Sequence, residues 1–184
     1  VGSWYLRNSD NDFTGPFVAG GNTRMDGSGA ITAAQDIRAM SGLLRLGWTD
    51  ADKPDDGVTT FGRLPNAATV SVFRGCFALV GRDNTGTVER IGALRLPGGH
   101  GAIQVNAGAG TGTATLRPGA MAREAGGTAV IAAWDVAYCS EQNYNLAAGS
   151  HITLADDGAS LGLVGGNSRS TDKAIVPYLV AVTP

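Results

Sequence analysis

Residues that usually carry acid–base, nucleophilic or metal chemistry are scarce in this chain of 184: two histidines, two cysteines and three glutamates. Neither a Gly-x-Ser-x-Gly nucleophile elbow nor a His-Glu-x-x-His zinc motif occurs. His100 sits between glycines and His151 opens a strand-like HITLA, so no nucleophile lies beside a base in sequence. Glu89, Glu124 and Glu141 have no aspartate at close spacing, and a glycosidase dyad could only be assembled by the fold. No enzyme activity, cofactor or metal site is therefore expected. Charge of one sign is also missing: the net charge is −2, and the 14 cationic residues, nearly all arginine, are scattered singly. A polyanion partner needs a basic surface that releases counterions, so nucleic acid is not expected as a partner. No apolar run is long enough to span a bilayer, and Val1-Gly-Ser-Trp-Tyr5 lacks a basic-then-apolar leader. Membrane insertion is not expected, and the chain reads as soluble. It begins without Met, as a processed chain or a piece of a longer one would. Long Glu/Lys/Leu runs are absent too, which argues against a helical bundle.

What is present is glycine, 28 residues of it, with 43% apolar and only 16% charged residues, a balance that suits a β-rich protein with many tight turns. The length allows one respectable core, or a small core plus a slender extension. Met25–Trp48 organises the rest: Met25, Ile31, Ile37 and Leu43 return every six residues among Gly, Ser, Asp and Asn breaks. A helix face needs returns every three or four residues and a strand face every two. A ribbon with this spacing is too thin to bury its own apolar points. Three copies wound together would cover them, which predicts an interwound trimeric β-shaft with Met25, Ile31, Ile37 and Leu43 in the trimer core. The simpler alternative is a β-meander at the edge of an ordinary domain.

Residues 1–48 are accordingly read as extended shaft, 49–66 as a hinge rich in acids, prolines and glycines, and 67–184 as the head. The head contains strand-like ATVSVF, CFALVG, VERIGALRL, AIQVNA, GTATLR, TAVIAAWDVAYC, HITLA, SLGLVG and AIVPYLVAV. Turn signals fill the gaps, among them Arg82–Gly86, Pro97–Gly99, Arg117–Gly119, Ala155–Gly158 and Gly165–Asn167. Many short strands at close spacing predict an antiparallel β-sandwich of the jelly-roll kind. Gly119–Gly126 is the one helical candidate. Pro177 cannot donate to a ladder, so the last strand is an edge, begins after Pro177 or carries a bulge. Cys76 and Cys139 lie in apolar strand-like segments and read as buried thiols, with a disulfide as the alternative.

The acidic stretch 50–57 lacks the alternating ligands and closing glutamate of a calcium loop and reads as a solvated hinge. Gly108-Ala-Gly110-Thr-Gly112 is followed by a strand-like ATLRPG rather than a helix, so it reads as a flexible hairpin and not a phosphate loop. The richest polar and aromatic stretch is Trp134 to Asn145. A strand bearing Trp134 and Tyr138 runs into Gln142, Asn143 and Tyr144, chemistry that stacks on sugar faces, hydrogen-bonds hydroxyls or makes protein contacts at low entropic cost. A core Trp under an ordinary polar loop would look the same. His100 and the turns at Arg82-Asp83-Asn84 and Asp156-Asp157 are further loop-tip candidates.

The string Gly29-Ala-Ile-Thr-Ala-Ala-Gln-Asp-Ile-Arg-Ala39, continued by Gly42-Leu-Leu-Arg-Leu-Gly47, resembles the shaft segments of bacteriophage tail fibres, in which "G-x-I-x-x-x-x-D-I-x-A" phrases precede a distal head. The likeness covers about the first quarter of the chain. It implies a virion-borne homotrimer with a β-sandwich tip that adheres, without catalysis, to a host surface polysaccharide or outer-membrane protein; the residues read above as polar and aromatic candidates, Trp134, Tyr138, Gln142, Asn143, Tyr144 and His100, are the expected receptor contacts. Other virion proteins would be its remaining partners. The rival reading is a capsid decoration or fibre-attachment protein with Val1–Trp48 as an arm lying on its neighbours. A secreted bacterial lectin or adhesin is a third.

Overall fold

Thirteen strands and no helices make up the described residues, 2–47, 62–132, 149–153 and 179–181, in a computed structural model of the chain. In chain order they are β1 (Ser3–Leu6), β2 (Phe17–Ala19), β3 (Asn22–Met25), β4 (Asp36–Met40), β5 (Leu43–Leu46), β6 (Thr69–Phe73), β7 (Cys76–Val80), β8 (Gly86–Leu96), β9 (His100–Asn106), β10 (Thr113–Arg123), β11 (Thr128–Ala132), β12 (Ser150–Ile152) and β13 (Leu179–Ala181). The odd strands form one sheet, β1-β3-β5-β7-β9-β11-β13, and the even strands another, β12-β10-β8-β6-β4-β2. Every pairing in both sheets is parallel. Successive strands alternate between the sheets, so the chain winds as a solenoid, each coil laying one strand on each sheet above the coil before it.

This overturns both halves of the expected fold, the interwound trimeric shaft and the antiparallel sandwich head. Period-two alternation identifies a strand but not the direction of its neighbour. Short glycine turns, where an antiparallel fold would place its hairpins, are corners between sheets. At three of them the ladder continues through a glycine carbonyl: the Leu43, Cys76 and Ala102 amides donate to Gly21, Gly42 and Gly75, at 2.9, 2.7 and 2.9 Å. Coils pass so close there that a Cβ on Gly42 would lie 2.5 Å from the Gly21 oxygen, and one on Gly75 2.6 Å from that of Ala39. Arg117-Pro-Gly119, expected as a turn, lies inside β10, and so does the first part of the helical candidate Gly119–Gly126, as far as Arg123. β8 and β10 each bend where their inward alternation slips, at Gly92–Ala93 and Gly119–Ala120. These bends give the coil a third side.

The third side includes the isolated parallel bridge Asn11↔Ile31 and the bond from the Ile31 amide to Arg63 oxygen at 2.7 Å. A side chain extends it. The Glu89 carboxylate, fully buried on β8, accepts the Leu64 amide at 2.9 Å and the Arg63 amide at 3.3 Å. It stands where a strand's carbonyls would otherwise receive them. The Arg63 guanidinium in turn donates to Gly29 and Gly27 oxygens at 2.7 and 2.6 Å, tying two coils together.

The core runs along the solenoid axis and contains three of the four residues assigned to a trimer seam; on β5 it takes Leu44 and Leu46 in place of Leu43. Met25, Ile31 and Ile37 are 0%, 1% and 0% exposed against their own chain, and Leu43 is half-buried. Met25 ends β3, Ile31 lies on the third side, Ile37 is on β4 and Leu43 starts β5. Six residues thus carry the chain from one side of the coil to the next, and the shelter comes from successive coils rather than from other copies. The strands flanking the expected hinge also pair directly, β4 with β6 and β5 with β7. Most of 49–66 lies outside the described residues, as do Pro177 and Cys139. Cys76 is buried on β7, whose five residues are all buried, as expected of a parallel strand covered on both faces.

Candidate functional site

The even sheet turns one side of each strand outward, and parallel register stacks these residues into rows. Arg38 on β4, Ser71 on β6 and Arg95 on β8 occupy one row, Asp36, Thr69 and Ala93 the row before it, and Met40 and Phe73 the row after. Short hydroxyl side chains therefore floor a trough along β6, between arginine walls on β4 and β8. Neighbouring strands are about 4.8 Å apart, which sets the walls roughly 10 Å from each other at the backbone. Met40, Phe73 and Pro97 close one end, and the groove has a volume of about 550 Å³. That is within the range of small-ligand sites, about 300–1,000 Å³.

Electrostatically the trough is neutral. On one wall Arg38 Nε donates to both carboxylate oxygens of Asp36 at 3.0 Å. On the other, a terminal nitrogen of Arg95 donates to Glu124 Oε1. The Arg38 hydrogen bond is the main influence on Asp36, holding its carboxyl below the usual range against a smaller opposing effect of burial; the charges of Arg38 and Arg95 assist. Arg38 is correspondingly raised by Asp36. Both pairs are about half-exposed, so they fix side-chain geometry more than they stabilise the fold. Two carboxylates in one groove invite comparison with hydrolytic sites, yet a general acid needs a raised pKa and Asp36 is driven the other way. The carboxyl that is raised, Glu89, is walled into the core and away from this surface. The arrangement is suited to holding a ligand through fixed polar groups.

No protein family, curated protein or solved structure matches this chain. The site therefore rests on its own geometry. Of the residues assigned to receptor binding, His100 is described: it is exposed at the start of β9, its Nδ1 3.0 Å from Thr128 Oγ1, and it does not line the trough. Trp134, Tyr138, Gln142, Asn143 and Tyr144 lie outside the described residues, as do Asp156, Asp157 and the acidic stretch 50–57. The turn at Arg82-Asp83-Asn84 is structural: Asp83 Oδ1 accepts the Ala109 amide at 2.6 Å and Asn84 Oδ1 the Thr111 amide at 3.2 Å. Gly108–Gly112 packs on that turn and leads from β9 in one sheet to β10 in the other, so it is a corner between the sheets rather than a hairpin. The trough residues escaped sequence reading because outward-facing arginines on strands look like ordinary solvent-facing charge. Their one signal, alternate polar residues at Asp36 and Arg38 of β4 and at Thr69 and Ser71 of β6, says nothing about which strands are neighbours.

Proposed function

We propose that this chain is a non-enzymatic adhesion module of a virion fibre that binds a host cell-surface receptor through the trough on its even sheet. The observation that carries the reading is the trough itself: an open, neutral groove floored by hydroxyls and walled by two fixed ion pairs, on a rigid parallel sheet. The fibre assignment draws on the likeness of Gly29–Gly47 to tail-fibre shaft phrases, a likeness of sequence alone, since these residues lie in the solenoid and not in an interwound shaft. A groove of this size binds one receptor weakly, and several copies on one particle raise the effective concentration enough to hold a cell. The reading does not require the homotrimer suggested for such a fibre, since Met25, Ile31 and Ile37 are buried within one chain.

Competition tests this directly. Purified chain should block adsorption of the particle to host cells, whereas Ser71→Trp, which fills the trough from its floor, should not. Adsorption blocked equally well by folded Ser71→Trp would remove the trough from the mechanism. Copy number separates the rival decoration-protein reading: a fibre module is present in a few assemblies per particle, a decoration protein at the scale of the capsid lattice.

A further inference from the structure

Resting on that adhesion reading, we infer that the trough recognises a neutral oligosaccharide, gripped by its hydroxyl groups between the two arginine walls and stacked at one end on Phe73. Charge argues for neutrality. Asp36 and Arg38 on one wall and Arg95 and Glu124 on the other cancel, so between the walls an anionic ligand gains an arginine only by approaching a carboxylate, and a cationic ligand meets the reverse; Arg74 adds a positive charge beside Phe73, outside the walls. Hydrogen-bond inventory argues for hydroxyls. Arg38 spends Nε and one terminal nitrogen on Asp36, and Arg95 one terminal nitrogen on Glu124, which leaves donors on both guanidinium groups. The carboxylates retain acceptor lone pairs, and Thr69 and Ser71 add groups that donate and accept. A sugar hydroxyl is likewise both donor and acceptor, so a pair of adjacent hydroxyls can accept from a guanidinium while donating to the carboxylate fixed beside it.

Shape supports the same class. A trough about 10 Å between wall backbones admits a ligand one sugar wide, whereas a protein partner ordinarily needs a flatter patch of about 800 Å². At the closed end Phe73 presents an aromatic ring beside Met40 and Pro97, apolar surface that matches the C–H face of a pyranose. Arg74 packs its guanidinium 5.4 Å from the centre of the same ring and helps to hold it.

The test uses the full chain titrated with short oligosaccharides, one set neutral and one bearing hexuronate or phosphate groups, alongside cell binding by the same preparations. The expected result is binding of a neutral oligosaccharide that changes little between about 50 and 500 mM salt, because no net charge is neutralised. Phe73→Ala should weaken it about tenfold. Ser71→Trp should abolish it, with circular dichroism and melting temperature close to those of the unaltered chain. Binding confined to the acidic set, or falling steeply with salt, would overturn the neutral class. Release of shorter sugars from the bound ligand would overturn a purely binding site. If no oligosaccharide binds while Ser71→Trp still loses cell binding, the glycan inference fails and adhesion through the trough stands, with a protein as receptor. If Ser71→Trp and Phe73→Ala both keep full cell binding, the adhesion reading itself fails.

Discussion

Glu89 is the residue at which burial and charge conflict most sharply. Desolvation pushes its carboxyl up to about 7, against the downward pull of the Leu64 and Arg63 amides and the Arg63 charge. Its folded pKa is thus above the ordinary value of 4.5, and the folded state holds its proton more tightly than the unfolded state does. The corresponding stability is fully present below pH 4.5 and is lost as the pH rises through about 7. Urea unfolding at pH 5 and pH 8 should show the chain less stable at the higher pH by roughly 2–3 kcal/mol, and Glu89→Gln should flatten the difference. Equal pH dependence in the variant would place the titration elsewhere. Asp36 works in the opposite sense: its lowered pKa favours the folded state above its ordinary value of 3.8 and is lost in acid, outside that window. Nothing in the sequence singled out Glu89. VERIGALRL is an ordinary alternating strand, and the demand for an inward carboxylate arises only where residues 63–64 stop short of β8's backbone.

At the scale of elements, the corners decide whether coils can stack. Gly42 has no left-handed backbone to explain it; the constraint is the Gly21 oxygen 2.5 Å from where its Cβ would be. Gly42→Ala should cost at least about 2 kcal/mol, because the obstruction is backbone and cannot swing away. Gly15→Ala, which meets nothing within 4 Å, should be neutral to within about 0.5 kcal/mol in the same chemical melts. Ile37→Ala removes a fully buried side chain from β4 and should cost about 2–5 kcal/mol. The strands themselves were largely legible. ATVSVF, CFALVG, VERIGALRL and AIQVNA, strand-like in sequence, are β6 to β9. Their pairing was not legible, because Ser41-Gly42 and Arg74-Gly75 carry the residues of hairpin turns and serve as corners.

Over the whole molecule, the decisive quantity is where the apolar groups find cover. Since the core closes within one chain, unfolding should not depend on protein concentration: melting temperature should be the same across a hundredfold dilution, to about 1 °C. A fall on dilution would mean that other copies complete the fold after all. Parallel strands from successive coils must also find register across wide separations in sequence, so refolding should be slow, on the scale of milliseconds to seconds or longer.

The six-residue return of Met25, Ile31 and Ile37 is a property of the sequence, and so is its implication that a core must be wound from stacked layers; on β5 the buried points are Leu44 and Leu46 and not Leu43. Composition likewise settled a strand-rich chain. The source of the next layer, another copy or the next coil of the same chain, was decided by tertiary structure. Coil lengths vary: Ile37 aligns back to Phe17 and forward to Val70, so no fixed period marks Asp36, Arg38, Ser71 and Arg95 as neighbours. Local spacing fixes which side a residue faces, whereas register between coils depends on loops whose length the pattern does not constrain. The trough is built from that register.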